Sequence, residues 1–493
     1  MTLASRCGLA GPAREAALAA LLARLRDERI ETLRVAWCDL HGALRGKTLV
    51  VGGDPAWLRG PFAEGIGMVS TVLLKDSADR TAFKVFEPGA LGALSGFGAA
   101  NNLLLLPDPA SLQLLPWAPG AAWVRGETCW ADGTPVAADP RRVLQRALAS
   151  LHEAGYGLRC GLELEFHVWR IVDDGGPADR AAQAAWPAEP PALAHVHPGY
   201  QLLSEAHADR ADEVLALVRR TALGLGLPLR SLEIELGPSQ FEAVFAATDA
   251  LTAADQVVLF RNGVRQALRR AGFHASFCCR PPLPHAVASG WHLHQSLVDA
   301  DGRNAMCRDA ATGARLDARQ LLSDAGVHWL GGLLAHAAGA SALAATTIPA
   351  YGRYRHSPMA PQAAVWGRDN RGALLRVIGG PGDAATRIEN RAGEPAANPY
   401  LYIAAQVWAG LDGLRQALDP GPATESPYAE GAPPLPGALA DALDALAADA
   451  VLMQGLGAEM ATVLLAVRRN ELARHAAAED PAAWERREYL ARS

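Results

Sequence analysis

Apolar positions along the chain follow two periods. Leu18, Leu21, Leu22 and Leu25 recur at helical spacing, flanked by Arg14, Glu15, Arg24 and Arg26, which predicts an amphipathic first helix within residues 1–30 and no secretory leader. Leu33, Val35 and Trp37 then alternate with more polar neighbours. Asp39-Leu40-His41-Gly42 breaks that run before Leu44 to Val51, so two strands joined by a tight turn are expected. Short apolar runs punctuated by Gly and Pro continue to about residue 118. Asp139-Pro140-Arg141 then opens a helix over Val143 to Leu151, with Asp139 as its cap and proline in the first helical position. A domain boundary is expected between 120 and 138, separating a unit over 31–120 from a larger one over 138–493. Gly175 to Pro191 reads as a surface loop. Pro420 to Pro436 reads as a connector to a helical tail in which Leu439, Leu443 and Leu446 keep helical spacing.

Ala325 to Gly352 carries no Asp, Glu, Lys or Arg, which on length alone could span a bilayer. His328, His336, several glycines and the exit Thr346-Thr347-Ile348-Pro349 predict a buried helix of a large domain instead. The 493 residues hold 46 Lys plus Arg against 52 Asp plus Glu, which excludes a nucleic-acid partner recruited by bulk positive charge. The chain is long enough to build a core without disulfide staples. Its seven cysteines show no CxxC spacing, so a reducing, cytoplasmic setting is expected.

Chemistry enters through short strand-like segments in which ionisable residues stand two apart, on one face of a strand. Glu163 and Glu165 face one side of Cys160–Trp169, and Leu162, Leu164 and Phe166 the other. His292 and His294 pair in Trp291–Leu297, as do Arg387, Glu389 and Arg391 in Thr386–Arg391. Glu233, Glu235 and Glu242 flank a Gly237-Pro238 turn. One such segment is commonly a solvated face. Four together bring carboxylates into apolar strands, where they repel one another and call for a cation. Oxygen ligands with a histidine suit Mg or Mn better than structural Zn. The arginines suit an anion beside the metal, and the combination is the inventory of phosphoryl transfer. Neither a Walker loop nor GxGxxG is present, so the phosphates of any nucleotide must be held by metals and arginines.

The ordered motifs Val35–Thr48 (VAWCDLHGALRGKT), Leu115-Pro116-Trp117, Gly161–Phe166 (GLELEF), Glu235–Glu242 (ELGPSQFE), Ser289–Leu297 (SGWHLHQSL), Trp366–Arg376 (WGRDNRGALLR) and Arg387–Leu414 cover roughly residues 30–490. They resemble the glutamine synthetase family, most closely its γ-glutamylpolyamine synthetase-like, glutamate–amine ligase branch. The resemblance implies an α+β fold: a β-grasp-like N-terminal domain, then a catalytic domain with a curved antiparallel sheet and flanking helices. It implies ring-shaped homo-oligomers whose active sites lie between subunits, with no membrane partner. Two or more Mg2+ or Mn2+ ions per site, ATP as co-substrate, and glutamate with ammonia or an organic amine are the implied ligands. By motif position Glu165, Glu235 and Glu242 look like ligands of one metal, and Glu163, His292 and Glu389 of the other. Arg371 and Arg376 fall where the transferring phosphate is held, Arg353 and Arg391 where glutamate is, Arg387 and Ser296 beside the nucleotide, and Asp39 where ammonium is bound and deprotonated. The spacing of Arg371 and Arg376 requires a bulge or turn between them.

Departures from the pattern bear on the acceptor. Ammonia-using relatives carry a glutamate just before an Ala-Pro pair, and here Met359 precedes Ala360-Pro361. Pro349-Ala350-Tyr351 replaces Asn-Ser-Tyr, Val287-Ala288 replaces an Asn-Gly or Pro-Gly pair, Glu233 stands where many relatives have histidine, and Ser239 where they have glycine. An apolar Met359 suits an amine carrying hydrocarbon better than ammonium, although another carboxylate could serve ammonia. Tyr428 lies near the place of a nucleotidylated tyrosine in some bacterial members, but its flanks match poorly and an ordinary loop tyrosine is expected. Two other classes stay open: a metal-dependent amidohydrolase using His292 and His294, and a non-catalytic ring protein of the same family.

Overall fold

The computed structural model describes all residues except 88, 174–180, 182, 183, 310–317, 357, 358, 491 and 493. Residues 175–180, 182 and 183 of the loop expected over Gly175 to Pro191 therefore lie outside the described residues. Two sheets organise the rest.

The first sheet holds β1 (Thr32–Cys38), β2 (Leu44–Val50), β3 (Ile66–Val69), β4 (Asn102–Pro107), β5 (Gln113–Leu114) and β6 (Ala121–Cys129). Its order is β2-β1-β6-β4-β3, with β5 also on β6. β1 and β2 form the expected antiparallel hairpin, and β1 runs parallel to β6. The sheet thus reaches Cys129, nine residues past the 31–120 unit read from the sequence, because its central strand pairs with one far back in the chain. The helix Pro12–Asp27 lays Leu18, Leu21, Leu22 and Leu25 on Leu33, Val51, Leu58, Phe62, Ala122 and Val124.

The second sheet holds β7 (Gly157–Asp173), β8 (Ala192–His195), β9 (Leu229–Ile234), β10 (Gln240–Asp249), β11 (Phe273–Ser276), β12 (Trp291–Val298), β13 (Trp366–Arg368), β14 (Leu375–Ile378) and β15 (Arg387–Gly393). The order is β13-β14-β15-β12-β7-β10-β9, with β8 and β11 on β7. All pairings are antiparallel except β13 with β14. Register shifts interrupt β10 and β12, the places where a strand bends most easily.

Helices cover one face of this sheet. Phe166 meets Phe260 of the helix Ala250–Arg270 edge-on at 5.8 Å, and Trp291 meets Tyr402 of the helix Pro399–Gln416 at 4.9 Å. Leu162, Leu164, Leu293, Ile388, Leu375 and Val377 share that buried side. Gln295, Asn390, Gln406 and Trp329 are the polar exceptions, and they satisfy one another, as buried polar groups must. The uncharged stretch from Ala325 is two buried helices, Asp324–Ala335 and Ala337–Ala344, meeting at His336. No single helix among the described residues is long and apolar enough to cross a membrane. Asp139 caps Pro140–Glu153 by accepting the Arg141 amide, as expected.

The β1–β2 turn is bolted to the second sheet's helices. Arg261 Nη2 and Asn262 Nδ2 both donate to the Gly42 carbonyl, and Asn398 Nδ2 donates to the Asp39 carbonyl at 2.8 Å.

Candidate active site

The uncovered face of the second sheet carries the ionisable residues, and strand register assembles them. His292 of β12 stands opposite Glu163 of β7, Glu242 of β10 opposite Glu165, His294 opposite Glu389 of β15, and Arg376 of β14 opposite Glu389. Residues two apart in four separate segments become one continuous patch across five strands. The alternation that buries Leu162 and Leu164 beneath the sheet is what raises Glu163 and Glu165 above it.

At one end of the patch the carboxylates have partners. Glu163 Oε2 lies 3.2 Å from His292 Nδ1, and its Oε1 lies 2.9 Å from His294 Nε2. Arg387 Nε donates to His294 Nδ1 at 3.1 Å. A guanidinium can only donate, so Nδ1 accepts, while Nε2 lies close to Glu163 but makes no aligned hydrogen bond. Glu389 is fully buried and accepts from Arg376 Nη1 at 3.0 Å and from Arg391. Burial pushes both carboxyls up, but the two histidines hold Glu163 well below the usual range, and His292 with Arg391 hold Glu389 below it. Burial and the Arg391 charge bring His292 down to about 4, so its ring is neutral.

At the other end the carboxylates face each other. Burial and the charges of Glu165, Glu163, Glu235 and Glu233 push the Glu242 carboxyl far up, and its Oε1 is buried without a hydrogen-bond partner. Burial and Glu235 raise Glu165, and burial raises Glu235. Glu165 is aimed by its Oε2, which accepts from the Gly290 amide at 2.9 Å and Gln240 Nε2 at 3.1 Å. A Cβ on Gly290 would stand 2.6 Å from Arg353 Nη2, so a side chain here would have to displace the Arg353 guanidinium. The orphaned Glu242 oxygen and the mutual repulsion of ionised carboxylates fit divalent cations. Ligand atoms of Glu163, Glu242 and His292, and separately of Glu163, His294 and Glu389, lie within 4.8 Å of one another.

The anion-binding candidates surround this patch. A cleft of about 780 Å³ opens beside Glu163 and His294, lined by Ser296, Arg387, Arg159, Arg303 and Arg308. Ser296 Oγ donates to the Thr386 carbonyl at 3.0 Å. Arg353 is buried and donates Nη1 to the Arg391 carbonyl at 3.0 Å, which ties the helix Ala350–His356 to β15. The turn required between Arg371 and Arg376 is present: Gly372 N donates to Asn370 Oδ1, leaving Arg371 exposed ahead of β14. Arg376 is held by Glu389 and Asp369. Asp39 is not brought into the patch within this chain. Its carboxylate closes the β1–β2 turn, accepting from the amides of His41 and Ala43 at 2.9 Å and from Arg45 Nε at 2.7 Å.

The glutamine synthetase catalytic-domain profile matches residues 137–489. The chain belongs to the glutamine synthetase family. Within it, the chain is 37% identical to the γ-glutamylanilide synthase of an Acinetobacter species over 488 residues, 95% of each chain. It is 31% identical to the γ-glutamylethanolamide synthetase GlnA4 of Streptomyces coelicolor over 400 residues, 81% of this chain and 80% of that one. The solved GmaS/ADP complex in conformation 1 superposes with a TM-score of 0.74 at 27% identity, covering 95% of this chain and 98% of the other. These relatives set the chain on the amine-ligase side of the glutamine synthetase family, among ATP-dependent ligases.

Several residues of this glutamine synthetase-type site escape a reading of motifs. His294 shares Glu163 with His292, a role the family motif does not give it, although its position two residues on is the available signal. Asp369 and Gln240 aim Arg376 and Glu165, and Glu394 accepts from both Thr346 and Thr347 beside the helix carrying Arg353. Nothing local marks these contacts. Ser239, standing where relatives have glycine, adopts φ 60°, and its Oγ accepts from the Val196 amide at 2.8 Å. The left-handed backbone explains the glycine of relatives, and the hydrogen bond offsets the cost here.

Proposed function

We propose that the protein joins glutamate to an organic amine, forming a γ-glutamyl amide through γ-glutamyl phosphate at the expense of ATP. The carrying observation is the buried carboxylate patch, paired at one end and uncompensated at the other, beside a cleft lined with arginines. Bound Mg2+ or Mn2+ ions would neutralise the charge that opposes attack of a carboxylate on a phosphate. Glu165, Glu235 and Glu242 would hold one ion, and Glu163, His292 and Glu389 the other. Arg387, with Ser296 in the same cleft, would bind the nucleotide. Arg353 and Arg391 would bind glutamate, and Arg371 and Arg376 the transferring phosphate. Arg376 is already oriented by Asp369 and Glu389, which lowers the cost of ordering it when substrate binds.

The acceptor reading rests on Met359, an apolar half-exposed side chain where ammonia-using relatives carry glutamate, and on similarity to enzymes named for anilide and ethanolamide products. Asp39 would serve the site of a neighbouring subunit in a cytoplasmic ring, which fits its separation from the patch of its own chain. A β-grasp-like first unit, extended through β6, would carry it there. The test is phosphate release by the purified protein with Mg2+, ATP, glutamate and a panel of amines including ammonium. Release should require glutamate and be fastest with an organic amine. No release above the glutamate-free control with any amine would overturn the reading.

A further inference from the structure

Behind the β1–β2 turn lies a cavity of about 160 Å³, large enough for several water molecules. The turn from Asp39 to Arg45 forms one wall, and the helix Ala250–Arg270 forms another. None of the carboxylates of the metal-binding patch lines it. Its guanidiniums are those of Arg45, Arg261, Arg265, Arg468 and Arg492, set against the carboxylates of Asp39 and Glu488. Those carboxylates are already engaged. Arg45 holds Asp39 and Arg474 holds Glu488, while Arg468 pairs with Glu471. Arg261, Arg265 and Arg492 form no ion pair among the described residues. Arg261 donates to the carbonyls of Gly42, Pro395 and Ala397, Arg265 to that of Arg492, and Arg492 to that of Ser77. Carbonyl oxygens satisfy individual N–H groups but leave the positive charge uncompensated. Burial and the Arg261 charge accordingly bring Arg265 down to about 10.

The cavity also has an approach from the surface. Asn262 and Arg265 line both it and a groove of about 470 Å³, whose other charged side chains are Arg269 and Arg270, with His274 beside them. No described carboxylate lines the groove, so its field draws anions toward Arg265.

We propose that this cavity is a second anion site, separate from the metal-binding patch, for a compact oxyanion carrying two negative charges, a phosphate or a short dicarboxylate. Arg265 and Arg492 grip the anion through their unused N–H groups, and Arg261 adds its charge. Arg261 and Asn262 also hold the Gly42 carbonyl. An anion that fixes this helix against the turn therefore stiffens the segment that carries Asp39.

The test uses the full chain without metal or nucleotide, with inorganic phosphate and succinate as probes and chloride at matched ionic strength as the control. Titration calorimetry and thermal melts compare wild type, Arg265→Gln, Arg492→Gln and Arg371→Gln, the last removing an exposed arginine of the active site. At least one probe should bind wild type and raise its melting temperature, and the tighter of the two identifies the ligand class. Arg371→Gln should keep this response. Arg265→Gln and Arg492→Gln should each weaken binding by about tenfold, the worth of a charged hydrogen bond, and melts of the unliganded variants establish that they fold. Hydrogen exchange at the amides of residues 40–44 should slow when the probe binds wild type but not Arg265→Gln. Affinity unchanged in both of these variants, binding lost only in Arg371→Gln, or a response that chloride reproduces would overturn the site. None of these measurements needs turnover, so the anion site and the ligase reading stand or fall separately.

Discussion

Glu389 and Glu242 are both buried on one face of one sheet, at 0% and 8% exposure, yet the chain treats their charges in opposite ways. Glu389 lies between Arg376 and Arg391 with His292 close by, and its carboxyl is held below the usual range against the effect of burial. Glu242 stands opposite Glu165 on one side and Glu233 on the other, and one of its oxygens has no partner. Desolvation alone does not decide such a site, because it penalises both groups. The neighbours decide it. One end of the patch is neutralised by the chain itself and should keep its shape without metal. The other is completed only by a cation.

Glu163 joins the two ends, since its oxygens reach both histidines and it belongs with either group of candidate ligands. Glu163→Ala should have the largest effect. Glutamate-dependent ADP formation should fall by at least about 100-fold, as expected when transition-state charge loses its stabiliser. A variant with wild-type kcat would show that the patch is not where phosphoryl transfer occurs.

Stability should separate the ends next. Glu389→Ala leaves the buried Arg391 guanidinium without a carboxylate, and Arg376 with Asp369 alone, and should cost about 3–5 kcal/mol in urea melts of the metal-free protein. Glu242→Gln replaces a carboxyl that its neighbours already keep protonated in the metal-free protein, and should leave the metal-free melt nearly unchanged while abolishing the stabilisation that Mn2+ gives wild type. Equal losses in the two variants would erase the contrast.

The contrast also predicts a pH dependence. Burial with neighbouring carboxylates raises Glu165 to about 8 and Glu242 to about 10, above the unfolded carboxylate value of about 4.3. Between those limits the folded state binds more protons than the unfolded chain, so these groups make the metal-free protein lose stability as pH rises from about 5 to 9. Mn2+ must displace the same protons and should bind more tightly as pH rises. Titration calorimetry in buffers of different ionisation enthalpy would detect the released protons, and Glu242→Gln should release fewer. An affinity independent of pH would mean that Glu165 and Glu242 are already ionised.

Much of this was legible in the sequence because it depends on period. The alternation in Cys160–Trp169 shows that Glu163 and Glu165 share a face, the Asp139-Pro140 pair marks a helix start, and the spacing of Arg371 and Arg376 demands the turn at Asn370–Gly372. Contacts joining distant segments were not legible. The parallel pairing of β1 with β6 spans nearly ninety residues, from Thr32 to Ala121, and no local pattern shows that the first sheet continues past residue 120. Asp369 beneath Arg376, Gln240 beside Glu165 and Tyr428 against Gly372 are likewise products of tertiary packing. Asp39 illustrates the reverse case: its motif is plain, but in the fold its carboxylate secures a turn.

His336 extends the contrast to a site with no part in the chemistry. Here the cation is central: Nδ1 lies 2.7 Å from Asp449 and Nε2 3.0 Å from Asp412, at the junction of two buried helices. Burial lowers its pKa, but the two aspartates outweigh burial and raise it. A histidine raised in the folded state contributes stability fully below the unfolded pKa of about 6.5, and that contribution is lost as pH rises through the folded value. His336→Gln, which keeps hydrogen-bonding capacity but not the charge, should therefore cost about 1 kcal/mol at pH 6 and less at pH 9. The two profiles have different origins: the carboxylate slope should vanish on adding Mn2+, whereas the His336 increment should persist. If the His336→Gln deficit were the same at both pH values, the ring would be acting through packing and hydrogen bonding alone. Charge compensation by neighbours would then govern only the metal-binding face.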